Sequence, residues 1–256
     1  FMLGFFHSSK ILVRELNLDL PLKQLANVSS IIDPTQFSSV DEKIEPDFNT
    51  LALYIKETIA EADFSGDSAD NTLMFVGDIM LDRAVRESVE KNGAGDYAYL
   101  FSELDELKSP HILFGNLEGP VSNLGKNQGT LYSFRMVPEV VKALKNAGFD
   151  VLSIANNHVG DWGRDAFIDT ISRLDYAGIK HPGGGANLTE AQKPAIIESQ
   201  GVTFGFIGFS DVGPNYLKAQ PEQAGILLAS DPKLDLIIKE ASAMVDVLIV
   251  SFHFGD

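Results

Sequence analysis

Apolar and polar positions fall in blocks along this chain. Short apolar runs stop abruptly at Asp, Glu, Asn or His, and stretches with apolar positions at helical spacing lie between them. The clearest block is DVLSIANNHVGDW, residues 150–162. Val151 to Ala155 read as a strand buried on both faces, and Asn156, Asn157, His158 and Asp161 follow at once. Three other strand-like runs finish the same way: LMFVGD at Asp78, ILFGNLE at Glu118, and VLIVSFHFGD at His253 and Asp256. Ligands of open α/β sheets bind outside the carboxyl ends of the strands, so four polar strand ends predict one convergent site.

From Thr72 onward strands and helices alternate, which predicts an α/β layer architecture. The spacing predicts a helix over DRAVRESVEKNG with Gly93 as a left-handed cap, and a second helix from Tyr97 to Leu107. Pro138 to Ala147 reads as a helix with Pro in its first turn and Gly148 past its end, leading into the central strand at Val151. Asp165 to Tyr176 carries Phe167, Ile168, Ile171 and Leu174 at helical spacing, a core stripe, and closes at Gly178. PAIIES and VTFGFIGFS, joined by Gln200-Gly201, predict an antiparallel hairpin. Pro232 to Met244 is the last expected helix, before the strand DVLIVSFHF. Residues 1–71 read differently: an irregular lead-in broken by Pro21, Pro34 and Pro46, a helix from Leu51 to Ala62, and a polar linker from Asp63 to Asn71. A domain boundary near residue 71 follows.

Composition narrows the function. The chain has 256 residues, 45% hydrophobic and 22% charged, as in ordinary globular proteins. Its net charge of -16, spread as -7 over residues 1–71 and -9 beyond, argues against nucleic acid, whose binding depends on Lys and Arg at phosphates. With no cysteine there is neither a disulfide nor a thiolate metal site. Phe1 to Phe6 is apolar but far too short to span a bilayer; it reads as the end of an upstream signal or anchor, or as a short buried piece.

Each candidate residue has a bland reading beside the chemical one. His253 could be a satisfied buried histidine, yet Asp78, Glu118, Asn157 and His158 give it partners suited to oxygen- and nitrogen-loving divalent cations. Asp78 could cap the following helix, a role open to Asp82 as well. Asn156-Asn157 could form a turn, and Glu118 could orient the loop before Pro120. Arg83 is either a surface charge or a fork for phosphate or carboxylate. Gly183 to Gly185 lack the Gly-Lys-Ser/Thr ending of a P-loop and read as a flexible turn. A serine-hydrolase elbow, Gly-x-Ser-x-Gly, is absent from the sequence.

VGDIMLDR, GNLEGP, ANNHVGDWG, GGGANLTEAQKP and SFHFG occur in that order within residues 72–256. As an ordered set they resemble the bacterial capsule synthesis protein family, the CapA or poly-γ-glutamate synthesis group, which is related to calcineurin-like metallophosphoesterases. The resemblance implies a two-sheet β-sandwich flanked by helices, with divalent metal (Mn, Fe, Zn or Mg) at the strand ends. It implies Asp78, Glu118, Asn157 and His253 as metal ligands, Glu118 near the place of the bridging acid and Asn157 able to bind phosphate instead. His158 becomes the general acid, with Asp161 and Arg83 as further catalytic residues and Asn116 and Asn156 as substrate contacts. Met80 stands where the phosphoesterase pattern has His, and the pattern's later Gly-His-His-Pro-His segment has no counterpart, so the domain is expected to continue past Asp256. The implied function is a metal-dependent, phosphoesterase-like hydrolase of the cell envelope. It would be extracytoplasmic, anchored through an upstream segment, and would act on an anionic polymer or phosphoester beside a membrane export complex. The rival is a non-catalytic envelope protein that binds or guides the polymer in the same cleft.

Overall fold

Eight strands and five helices are found among residues 71–254, which the computed structural model describes. The expected lead-in, the helix at Leu51–Ala62, the linker before Asn71, and Asp256 lie outside the described residues. Strands β1 (Leu73–Ile79), β2 (Ile112–Leu117) and β3 (Val151–Ser153) form a parallel sheet in that order. Helices α1 (Ala84–Asn92), α2 (Glu139–Ala147) and α3 (Gly163–Ala177) are threaded between and after them. Next come β4 (Gly184–Gly185), α4 (Leu188–Ala191), β5 (Ala195–Ser199), β6 (Val202–Ser210), β7 (Gly225–Ile226), α5 (Leu234–Ser242) and β8 (Val247–His253). Strand β6 pairs antiparallel with β5 and parallel with β8, while β4 and β7 form a two-stranded ribbon.

Strand β2 is buried throughout because both its faces are covered. Leu113 and Leu117 join α2 and α3 in one apolar cluster. Ile112 and Phe114, pointing the other way, join Phe204 and Phe206 of β6 in another, so the two three-stranded sheets share an apolar layer. Phe114 stacks on Phe206 with ring centroids 5.8 Å apart, a pairing that adds about 1 kcal/mol to the burial of both rings. On the far side of β6, Ile207 and Phe209 pack with Ile237 and Ala241 of α5.

Several elements form where the pattern places them. Gly148 and Gly178 close α2 and α3 at φ of 107° and 67°, conformations that disfavour any residue with a Cβ. The β5–β6 hairpin turns through Gln200 and Gly201, both at positive φ. Other expectations are corrected. The segment from Tyr97 to Leu107 makes two short 3-10 turns, Tyr97–Phe101 and Asp105–Lys108. Gly93 ends α1 at a negative φ of -105°; what excludes a side chain there is Tyr99, whose Cβ would lie 2.8 Å from an added Cβ. Ile168 is exposed rather than part of the α3 core stripe. Strand β3 is the sheet's edge, not its centre, and its free side is closed by Leu152 N–H donating to Lys180 O at 2.8 Å. Gly183 to Gly185 are buried and not a flexible turn: a Cβ on Gly183 would stand 2.6 Å from Ala155 Cβ and 2.7 Å from Gly208 O.

Candidate functional site

The site begins with a register irregularity. Phe75 of β1 pairs with Phe114 of β2, but the next matched pair at the strand ends is Asp78 with Asn116, so β1 spends one more residue than β2 over this span. Strict alternation would set Gly77 opposite Asn116; the extra residue brings the carboxylate there instead. Asn116 is level with Ser153 of β3, so Asn156, Asn157 and His158 emerge just beyond the same edge. In the other sheet, β8 ends on His253 beside Ser210.

Asn116 is the hub. Its Nδ2 donates to Asp78 Oδ1 at 2.8 Å and lies 3.3 Å from His253 Nδ1, while its Oδ1 accepts from Asn156 Nδ2 at 3.1 Å. An amide nitrogen has no lone pair to offer, so His253 Nδ1 is the acceptor and Nε2 carries the hydrogen, donated to Asn157 Oδ1 at 2.8 Å. Two amides thereby fix the tautomer of one imidazole. Asn156 is 0% exposed: its Nδ2 also donates to Leu117 O, and its Oδ1 accepts from the backbone N–H groups of His158 and Val159. It cannot touch a substrate, so the expectation of a substrate contact is corrected for Asn156; it positions the His158 turn.

His158 is held from behind. Asp161, 1% exposed, accepts from Phe134 N–H at 2.8 Å through Oδ2, and that same oxygen stands 2.8 Å from His158 Nδ1. As an acceptor it leaves the Nδ1 hydrogen on the ring, and Nε2 then faces Glu118 Oε1 at 3.9 Å. Asp161 is thus a positioning residue, with no access to substrate. Phe134 packs its ring 4.1 Å from that of His158, and Thr130 donates to Asp161 Oδ1, so the loop through Thr130 and Phe134 belongs to the site. Sequence reasoning missed this loop; its one signal is the aromatic pair Tyr132 and Phe134 after a Gly-rich polar stretch.

Arg83 stands apart from the hydrogen-bonded group. It precedes α1 at a positive φ of 54°, and its guanidinium carbon lies 5.7 Å from the ring centres of both Tyr132 and Phe134. It reaches His158 only through Phe134. Neither Asp78 nor Asp82 caps α1: the cap position is Arg83, and Asp82 pairs with Arg86 at 2.9 Å and accepts from Arg135 N–H at 2.8 Å. Met80 turns its sulfur back toward Asp82 N–H, 3.4 Å away.

Burial and charge perturb two of these groups. Glu118 is pushed up to about 7, first by burial and then by the Asp78 and Asp161 carboxylates, against the pull of His158. Burial lowers His253 as well; nearby His158 adds to this, and Asp78 opposes it. The group at the strand ends is therefore rich in acceptors and short of positive charge.

Residues 72–256, which carry all of these groups, match the family model described as bacterial capsule synthesis protein PGA_cap. The chain belongs to this family. It is 32% identical over 198 residues to the capsule biosynthesis protein CapA of Bacillus anthracis, covering 72% of this chain and 46% of that one. It is also 32% identical over 186 residues to the PGA biosynthesis protein CapA of Bacillus subtilis strain 168, covering 71% and 48%. A probable polyglutamine synthesis accessory protein of Mycobacterium tuberculosis is 32% identical over 133 residues, 48% of this chain and 35% of that one. The chain spans about half the length of the two CapA relatives. A hypothetical protein of Thermus thermophilus aligns structurally at 16% identity and a TM-score of 0.40, over 72% of this chain and 58% of that one.

The donors this family member presents are carboxylate and amide oxygens and imidazole nitrogens, the set preferred by Mg, Mn, Fe and Zn ions. Asp78 Oδ1 and His253 Nδ1, 3.8 Å apart, converge on one point, where Asn116 Nδ2 now supplies partial positive charge. That convergence fits a cation. Among the described residues no group of three His, Asp or Glu is gathered at cation-holding geometry, so amide oxygen would have to complete the set.

Proposed function

We propose that this chain is the hydrolytic portion of a cell-envelope protein of capsule or poly-γ-glutamate synthesis, and that it acts on an anionic polymer or a phosphoester. The observation that carries this reading is His158. Its Nδ1 is fixed by buried Asp161, and its Nε2 is turned toward Glu118 at the edge where Asp78, Asn157 and His253 meet. An imidazole anchored through Nδ1–H can take up a second proton at Nε2, the nitrogen facing Glu118, and in that doubly protonated form would hand it to a leaving oxygen. Glu118, near neutrality in its protonation, can exchange that proton. Asp78, Asn157 and His253, with Glu118 alongside, would hold a divalent cation, which when bound supplies Lewis acidity toward a phosphoryl or carbonyl oxygen.

The names of the CapA relatives support the envelope and polymer part of the reading, as do the two sheets sharing an apolar layer, which suit a metallophosphoesterase-like sandwich. On this reading the protein works outside the cytoplasm next to an export complex. Among the described residues no helix is long and apolar enough to cross a membrane. One observation favours the non-catalytic rival: the Asn116 amide already fills the point between Asp78 and His253. Turnover separates the two. Phosphomonoester, phosphodiester and glutamate-polymer probes are offered with Mg, Mn or Zn. Hydrolysis that vanishes in a folded His158→Ala variant supports the enzyme, and absence of hydrolysis under every condition leaves the binding protein.

A further inference from the structure

Away from the strand ends, α2 and α3 leave between them a groove of about 570 Å³. Its floor includes Pro138 and Val141, and its walls carry Lys142 and Lys145 from α2 and Arg173 and Tyr176 from α3. The charge there is opposite to that of the whole chain, whose net charge is -16. Asp169 is the lone carboxylate of the lining, and it is already engaged, by Arg173 Nε at 2.9 Å and by the Ser122 hydroxyl. Among the described residues the lysines held in ion pairs are Lys108 and Lys218, and Lys142 and Lys145 have no carboxylate partner there. Each pair of polar residues, Lys142 with Lys145 and Arg173 with Tyr176, is spaced i,i+3 and lies on one face of its helix. Tyr176 is 96% exposed at the groove's edge.

We propose that this groove binds a polycarboxylate chain, holding successive carboxylates of the polymer against Lys142, Lys145 and Arg173 while its methylene groups lie on Pro138, Val141 and the Tyr176 ring. The proposal rests on the reading of an anionic polymer as substrate and extends it with a second contact. Groove and candidate site are physically joined: Ser122, which holds Asp169 in the groove wall, is four residues beyond Glu118 on the same loop. A local cationic track resolves how so acidic a protein could handle a polyanion. Repulsion from the rest of the acidic surface fades beyond roughly 8–10 Å at physiological salt, so the cations nearest a bound polymer set the field it meets.

The test is binding of a fluorescent glutamate oligomer to the 256-residue chain, read by anisotropy, with a glutamine oligomer as the uncharged control. The expected result is salt-sensitive binding of the glutamate oligomer alone, weakened at least tenfold in Lys142→Glu/Lys145→Glu and less so in Arg173→Gln, with circular dichroism confirming the fold. If the double variant does not fold, Lys145→Gln and Tyr176→Ala take its place. Wild-type affinity in the groove variants, with loss in Asp78→Asn, would overturn the groove and leave the polymer reading standing. No binding by the wild type would overturn both. A dimer in sedimentation that the double variant abolishes, without oligomer binding, would assign the groove to a second copy of the chain and overturn the proposal.

Discussion

His158 and Asp161 share a 2.8 Å contact in which the carboxylate, 1% exposed, holds Nδ1 and leaves Nε2 to the cleft. Asp161 accepts from Phe134 N–H through the same oxygen, so its place is set by backbone as well as by the ring. Changing Asp161 to Asn sets an amide NH₂ among donors and frees the imidazole to turn. Turnover is expected to fall about a hundredfold or more, with a stability loss of about 1–3 kcal/mol. Steady-state kinetics beside urea denaturation checks both; wild-type kcat in the Asn variant would remove Asp161 from the positioning role.

Glu118 is expected to make stability fall with rising pH. Its folded-state value of about 7 lies above the ordinary 4.5, so between these limits the folded chain binds more protons than the unfolded one. Stability contributed by the protonated carboxyl is complete below about 4.5 and is lost as pH rises through 7, at up to roughly 1.4 kcal/mol per pH unit. His253 works the other way, since its lowered value favours the neutral ring and costs stability as pH falls below 6.5. The difference between wild type and Glu118→Gln isolates the first effect. Urea midpoints at about pH 5 and pH 8 should show wild type losing on the order of a few kcal/mol relative to Gln. Parallel pH curves for the two proteins would show that Glu118 is not perturbed.

Asn156 supports the site without facing it. Its amide completes four hydrogen bonds inside the protein, to Asn116, Leu117, His158 and Val159. Replacement by Ala strands those buried partners, and a loss of about 2–4 kcal/mol is expected in chemical denaturation. Replacement by Asp keeps the acceptor for His158 and Val159 but puts a carboxylate oxygen against Leu117 O and Asn116 Oδ1, so it should not restore stability. An Asp variant as stable as wild type would refute this role for Asn156 in the turn.

Much of this arrangement is legible in the sequence because apolar strands and the polar groups that end them are both local signals. ILFGN must be buried on both faces, and Asn156-Asn157-His158 directly after VLSIA can only appear at a strand end. Other features were not legible. The extra residue in β1, which sets Asp78 rather than Gly77 opposite Asn116, depends on pairing with a strand more than thirty residues away. The loop bringing Phe134 to His158 has no periodicity, and its fold depends on Asp161 as a distant anchor. Tyr97 to Leu107 has helical spacing, but the chain there is held to short turns, with Tyr97 buried and Asp96 capping Ala98 N–H. Asp82 reads as a helix cap by position alone, yet Arg86 and the Arg135 N–H outcompete the helix end for its carboxylate.

The point where Asp78 and His253 converge carries the metal reading, and metal stoichiometry tests it most directly. The purified chain is equilibrated with Mn, Zn or Mg, freed of excess, and measured by elemental mass spectrometry beside His253→Ala and Asp78→Asn. About one ion per wild-type chain, binding more tightly as pH rises through 7 and lost in both variants, is the predicted result. A folded wild-type protein that retains no ion, or variants that retain it equally well, would contradict a metal-dependent centre at these strand ends.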